Sequence, residues 1–593
     1  MADTRPTASD LAQLLAAFRA DGAALRGDDV QQAVHIARQL QARARDLQTP
    51  AERRQQAELD RMIQSPSDKA TLIEITDQAF RAQRSGRAAD QLIHILDVQG
   101  VPRFFSPLER TMLRGFQSFG AYLPGVAMPL VKEKMREETA NVILPAEEDL
   151  LREHLEERRR EGLRMNVNYL GEALLGEEEA ELRLQKYLEA LQRPEIEVIS
   201  VKISTIFSQI SALARDHTID VLADRLELLY RAAAKNKFKR AARSSHPGAE
   251  PGHPEVRRGV RPEYRAEADS SENLGVTGTE PQGETVPKFV YLDMEEYRDK
   301  EITAEAFIRT LDRKGLEQVR AGIALQAYIP DSFATQQRIT EWSKQRVAKG
   351  GAPVTIRLVK GANVEMEGVE ASIKGWPLAT FSDKADTDAN YHRMLQYGMQ
   401  PENLAAVRLG VASHNLFTLA YGLVLAARSG HIEQVQFEML EGMANHQRRA
   451  LVELVGDMLL YAPACRQEEF INAIGYLVRR LDENTGPENF LRYAFNLEVD
   501  SPTWQRLEQG FVDSFARIES LSGKPRRTQD RNTESPVLID VPPAPSPARG
   551  GLGRAEEAGT SDVTNEGGAS TDVFTPPPAP PHRGEWNERK LDG

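Results

Sequence analysis

From residue 9 to about 191 apolar side chains recur every three or four positions, and Ala, Leu, Glu, Gln and Arg dominate. That period predicts a succession of amphipathic helices. Short Gly, Pro or Ser breaks separate them, and Ser106-Pro107 reads as a helix start. Residues 147–161 are charged enough to suit a solvated helix. Residues 1–191 are therefore read as a helical arm and helical domain, without chemistry of their own.

The pattern changes after Pro194. Short runs rich in β-branched residues now alternate with amphipathic helices. Strands are expected at 196–203, 288–293, 321–328, 354–360, 406–410, 435–437 and 458–461. Helices are expected at about 219–232, 332–348, 416–427, 450–455 and 468–484. That makes seven strands after residue 195, with an eighth expected in a weakly patterned segment. Strands this apolar on both sides belong in a parallel sheet. Polar residues gather at or just beyond their carboxyl ends: Lys202, Asp293, Gln326, Arg357 with Lys360, His414 with Asn415, and Glu438. That distribution favours an α/β fold of the (β/α)8 TIM-barrel type over residues 192–509. A doubly wound sheet also binds ligands beyond its strand ends, but its early glycine-rich fingerprint is not found.

Two segments fall outside the alternation. Residues 241–286 are rich in Pro, Gly, Ser, Glu and Arg and poor in large apolar residues, which predicts a disordered insertion. The folded pattern fades after about residue 510, and residues 510–593 read as a low-complexity tail with extended proline runs.

Composition narrows the function classes. With 40% apolar and 27% charged residues the chain is of the soluble globular kind. A net charge of −13, spread along the chain, gives no support to a nucleic-acid partner. No stretch reaches the length of a membrane span, which leaves peripheral membrane contact open. The amino terminus lacks the pattern of a signal peptide. The single cysteine, Cys465, excludes an intrachain disulfide and a multi-cysteine metal site, and it fits a reducing cytoplasm. No metal is expected.

The strand at 354–360 carries the sharpest signal. Arg357 and Lys360 interrupt an apolar run, and Gly361 follows at once. Buried cations need partners, so an anionic ligand or buried carboxylates are expected there. A second signal is the helix bearing Arg479, Arg480 and Glu483, where Glu483 lies within reach of both arginines. Arginine forks suit a carboxylate or a pyrophosphate, although a salt-bridged surface helix has the same spacing. Another barrel enzyme acting on a phosphorylated anion, or a non-catalytic scaffold, also fits these residues.

Nine stretches, in order, resemble the proline dehydrogenase family, specifically the flavin-dependent domain of the proline utilization A proteins. They are Val201-Lys202-Ile203-Ser204, Leu292-Asp293-Met294-Glu295-Glu296, Leu325-Gln326-Ala327-Tyr328 and Arg357-Leu358-Val359-Lys360-Gly361-Ala362. Lys384-Ala385-Asp386-Thr387-Asp388, Ser413-His414-Asn415, Glu441-Gly442-Met443, Tyr461-Ala462-Pro463 and the run from Tyr476 to Asn484 complete the set.

The resemblance implies a (β/α)8 barrel with non-covalent FAD that oxidises L-proline to Δ1-pyrroline-5-carboxylate and passes electrons to a membrane quinone. Carried over by motif, Arg479 and Arg480 clamp the proline carboxylate with help from Lys202. Tyr461 and Leu358 pack against the ring, and Asp293 positions a cation of the site. Gln326, Arg357, Val359, Gly361, Lys384, His414 and Asn415 hold FAD. Lys360 and Glu438 are counted on the same cofactor side, though neither Glu438 nor Glu441 gains a definite role. Glu483 serves a ribose hydroxyl or orients an arginine. The chain departs from the pattern at Asn363-Val364, where many members have Tyr-Trp. Larger members carry an NAD-dependent aldehyde dehydrogenase domain, and the run 585–590 resembles the approach to it. A truncated bifunctional member or a split gene product is expected, without the DNA-binding module of some relatives. A cytoplasmic location, peripheral at the inner membrane, goes with the quinone.

Overall fold

A computed structural model describes residues 29–527, with 241–283, 172–175 and a few single positions left out, together with residues 13, 15 and 16. The chain divides into residues 1–531 and 532–593, and everything described belongs to the first unit. The expected disordered insertion and tail thus fall mainly outside the described residues.

Eight parallel strands form a closed ring. In chain order they are β1 (Arg164–Tyr169), β2 (Val198–Lys202), β3 (Phe289–Asp293), β4 (Gly322–Gln326), β5 (Val354–Val359), β6 (Val407–Ala412), β7 (Val435–Leu440) and β8 (Leu459–Cys465). Each pairs with the next, and β8 closes on β1 from Leu459 against Arg164 to Ala464 against Tyr169. Leu144–Pro145 adds a short parallel strand beside the end of β8. The architecture is the TIM-type barrel expected from the alternation.

The eighth strand is β1, and it lies inside the stretch read as helical. Its sequence, Arg-Met-Asn-Val-Asn-Tyr, alternates because one face looks into a polar barrel interior: Asn166 donates to Ser200 Oγ at 3.0 Å. The apolar partners Met165 and Val167 face the surrounding helices in the main core. A search for wholly apolar runs passes over such a strand.

Period-two alternation sets the rest of the site as well. Ser200, Tyr291, Asp293, Arg357, Glu438 and Tyr461 contact one another inside the ring, whereas Val201, Leu292, Leu358 and Ala462 sit in the apolar layer outside it. Two glycines make room within. A Cβ on Gly322 would lie 2.4 Å from the Tyr291 ring, and one on Gly410 would lie 2.6 Å from Glu438 Oε1.

Helices cover the ring, and the amino-terminal arm covers some of those helices. Asp29–Asp46 packs across Leu416–Ser429 and Asn445–Val455. Leu416–Ser429 is consequently buried all round, from Leu416 to Arg428. Arg428 would be costly there, but it pairs with Asp29 of the arm at 2.8 Å. The fold also continues past the point where the sequence pattern fades. Pro502–Arg517 is a helix capped by Ser501, and it buries Trp504 and Phe511 against Phe417. At the barrel's side Lys237–Lys239 pairs antiparallel with Thr285–Pro287, so residues 285–286 belong to a hairpin and not to the expected insertion.

A smaller helical unit has its own core of Ala88, Ala89, Leu92, Ile95, Leu96 and Met128. Ile474 is fully buried in that core and Val478 packs on it. Both belong to helix Ile474–Thr485, which carries Arg479 and Arg480. The helical unit, read from sequence as without chemistry, therefore holds the arginine helix. Among the described residues no helix is long and apolar enough to cross a membrane.

Candidate active site

The centre of the site is Arg357, the fourth residue of β5, 3% exposed inside the barrel. Its Nε donates to Glu438 Oε2 at 2.5 Å, and its Nη1 donates to Asp293 Oδ1 at 3.0 Å. The guanidinium lies over Tyr291, with Cζ 3.7 Å from the ring centroid. Tyr291 in turn donates its hydroxyl to Glu438 Oε1 at 3.0 Å, and Tyr461 donates to Asp293 Oδ2 at 3.1 Å. One cation and two carboxylates thus share a water-poor volume, each tied by a phenol.

Burial opposes the charge on Arg357, but Glu438, Tyr291 and Asp293 outweigh it and hold the guanidinium well above its ordinary range. The carboxyls of Glu438 and Asp293 are pushed up by burial, with Arg357 as the main opposing influence. The phenols of Tyr291 and Tyr461 are raised far above theirs by burial and by the adjacent carboxylates. Arg357 is therefore a fixed positive charge.

The ends of β2, β4 and β5 form the rim. Lys202 donates to Glu295 Oε1 at 2.6 Å, and Ser204 donates to the other oxygen of that carboxylate. Gln326 Nε2 donates to the Met294 carbonyl at 3.0 Å. Asn363 Nδ2 reaches the Glu295 carbonyl at 3.2 Å. Gly361 turns the chain at φ +123°, and a Cβ there would lie 2.5 Å from the Tyr328 ring. Only glycine fits both constraints.

Beside the rim, Lys360 and Lys384 share Asp388 at 2.5 and 2.8 Å. Burial works against the Asp388 carboxylate, but the two ammonium groups hold it well below its usual range. Across the barrel, His414 Nε2 accepts from the Leu440 N–H at 3.0 Å, which assigns the ring proton to Nδ1. Burial, then the charge of Arg480, pushes His414 down to about 3, so the imidazole is neutral. Arg480 is buried, with its guanidinium over Tyr476 at 4.9 Å.

Most residues singled out from sequence come together here. Lys202, Asp293, Gln326, Arg357, Glu438 and Tyr461 form one linked group; Lys360 and Lys384 form a second; His414 and Arg480 form a third. Leu358 does not join them. It is fully buried on the opposite face of β5 from Arg357, among the helices, because successive strand residues point to opposite sides. Asn415 caps helix Leu416–Ser429, its Oδ1 accepting from Phe417 N at 3.0 Å. The Val359 carbonyl is engaged by the Ala327 N–H at 2.8 Å. The side chains of Arg479 and Glu483 lie outside the described residues. The structure adds Tyr291 and Ser200, and it gives roles to Glu295 and Asp388, which stand in the motif stretches without one. The sequence signal for Tyr291 is its place two before Asp293 on the same face of β3. Asp388 stands four after Lys384 on one helix.

Among the buried polar atoms facing this region without a hydrogen-bond partner among the described residues are Arg357 Nη2, Gln326 Oε1 and His414 Nδ1. Buried polar groups are rarely left so in a finished protein. Two donors and an acceptor, beside a lysine pair, suit a polar, anionic ligand of extended shape.

Fold and site together define a (β/α)8 barrel enzyme scaffold with a charged centre at the carboxyl ends of its strands. The proline dehydrogenase family matches residues 151–493, more than half of the sequence, and the chain belongs to that family. Among solved structures it is similar to proline utilization A from Corynebacterium freiburgense, at 34% identity over 67% of this chain and 34% of that one, with a TM-score of 0.53. Proline utilization A from Bdellovibrio bacteriovorus, inactivated by N-propargylglycine, is 23% identical over 86% of this chain and 46% of that one, with a TM-score of 0.60. A mutant of the Bradyrhizobium japonicum protein is 18% identical over 89% and 50% of the two chains, with a TM-score of 0.54. The last two speak for the fold alone. The chain spans between about a third and a half of the length of these relatives. No curated protein matches the sequence.

Proposed function

We propose that this chain is an FAD-dependent proline dehydrogenase. It oxidises L-proline to Δ1-pyrroline-5-carboxylate, the first step of proline catabolism toward glutamate, and passes the electrons to a membrane quinone from the cytoplasmic side. The observation that carries this reading is the permanently charged, buried Arg357 with an unpartnered Nη2, held by Glu438 and Asp293.

The chain's residues fit FAD on their own chemistry. Arg357, Gln326 and His414 offer the unpartnered polar atoms that a flavin ring system can use, and Lys360 and Lys384 offer cations for a pyrophosphate. When bound, FAD supplies the acceptor for the hydride that leaves the proline ring.

The protein's part is placement and electrostatics. Arg479 and Arg480 clamp the proline carboxylate, and Lys202 adds a third cation from β2. Tyr461, fixed through its hydroxyl to Asp293, supplies a wall for the pyrrolidine ring. Arg357 remains cationic throughout and stabilises negative charge at the reaction centre. Asp293 and Glu438 position Arg357 through its Nη1 and Nε. The amine must be neutral when the hydride leaves, and deprotonation by solvent before the site closes supplies that state.

Purified protein is expected to be yellow and to reduce a quinone or dye only when proline is added. Colourless protein that FAD does not reconstitute would overturn the proposal in favour of a barrel acting on another anion.

A further inference from the structure

A cavity lies outside the barrel wall, between β1, the end of β8 and helix Glu177–Ala190. Its volume is about 250 Å³, a little under the roughly 300–1,000 Å³ of drug-sized ligand sites. Tyr169, the last residue of β1, points into it from the outer face of the sheet. Nothing in the proposed chemistry uses this place.

Its cations are unevenly partnered. Lys186 is paired with Glu469 at 2.8 Å and Arg193 with Glu195 at 2.5 Å. Arg183 is different: it is 6% exposed, and its one described hydrogen bond runs from Nη1 to the Leu170 carbonyl at 3.2 Å. No carboxylate lies within ion-pair distance of Arg183 or of Arg466 among the described residues. A buried guanidinium without an anion is costly. The Tyr169 hydroxyl beside them is likewise buried without a hydrogen-bond partner. Burial raises its pKa to about 12, so it stays a donor.

We propose that this cavity is a binding site for a small carboxylate, received by Arg183, Arg466 and the Tyr169 hydroxyl. Two guanidiniums and a phenol all donate, and nothing in the described structure accepts from them on the cavity side except one carbonyl. Three acidic side chains, Glu148, Glu189 and Glu469, also line the cavity. Glu469 is neutralised by Lys186, and the remaining acidic charge disfavours a polyphosphate more strongly than a ligand of single charge. Among the described residues Glu189 meets a glutamine amide and no cation, so an amino group on the same ligand would find a partner there.

The test is binding of sodium butyrate to the full chain, followed by saturation-transfer NMR, with butanol as the uncharged control. Tyr169→Phe removes only the hydroxyl, and Arg466→Gln removes an exposed charge, so both variants retain the fold, which an unchanged melting temperature verifies. Butyrate should bind at two classes of site in the natural chain, one of them at the proposed proline clamp. Each variant should weaken the other class by about fivefold or more while leaving proline-dependent dye reduction unchanged. Equal butyrate binding by both variants and the natural chain, or equal binding of butanol, would refute the site. Neither result depends on flavin, so failure here is distinct from failure of the proposed dehydrogenase activity.

Discussion

Arg357 and Glu438 face each other across the inside of the barrel, from β5 and β7, at 2.5 Å and with both side chains almost fully buried. Such a pair contributes little net stability compared with a well-packed apolar substitute, because both charges were taken from water. Its value lies in orientation: with Nε on Glu438 and Nη1 on Asp293, one edge of the guanidinium is left for a ligand. Arg357→Met should abolish proline oxidation and, by stranding two carboxylates, cost about 3–5 kcal/mol of stability. Glu438→Gln, which keeps a hydrogen-bond acceptor, should cost less stability. Urea denaturation beside dye-reduction assays separates the two effects.

Gly361 permits one more direct test. Gly361→Ala must accept a positive φ and a Cβ against the Tyr328 ring. We expect about 1–3 kcal/mol of destabilisation and loss of bound flavin on gel filtration. Unchanged flavin content would show that the turn tolerates a side chain and that the rim is looser than its geometry indicates.

Arg480→Ala should raise the KM for proline by about 10- to 100-fold, the effect expected from losing a charge-assisted hydrogen bond. The same substitution should raise the pKa of His414, because the Arg480 charge is one of the two influences that depress it. NMR titration of His414 provides a readout that a general folding defect would not reproduce.

Stability should fall in acid through Glu441. This carboxylate is buried among Arg158, Arg448 and His154, which hold it at about 2 despite the opposing effect of burial. A depressed folded-state pKa stabilises the fold above the unfolded value, near 4.3, and the benefit disappears as pH falls toward 2. The contribution is on the order of 3 kcal/mol. Denaturant titrations between pH 2 and 7 should show a weaker acid dependence for Glu441→Gln than for the natural chain.

Much of this arrangement can be read from residue patterns alone, because the strands that carry the site are apolar outward and end in charge. β5 announces itself: Val354 and Ile356 pack outward while Arg357 breaks the run. β1 hides for the same reason in reverse, since its asparagines face a polar interior and leave too few apolar positions to register. Leu358 shows where motif analogy meets geometry; neighbouring Arg357 on a strand guarantees that it points the other way. Pairings such as Lys202 with Glu295 join residues 93 positions apart and become visible only when β2 and β3 lie side by side.

The seating of Ile474 in the core of the small helical unit has a genetic corollary. Packing there sets where the arginine helix rests over the barrel. A screen for altered proline affinity should return substitutions at Leu92 or Met128, inside the apolar core of that unit. Such alleles would pass for binding-site mutations in a kinetic assay, and second-site suppressors would map back to the same bundle.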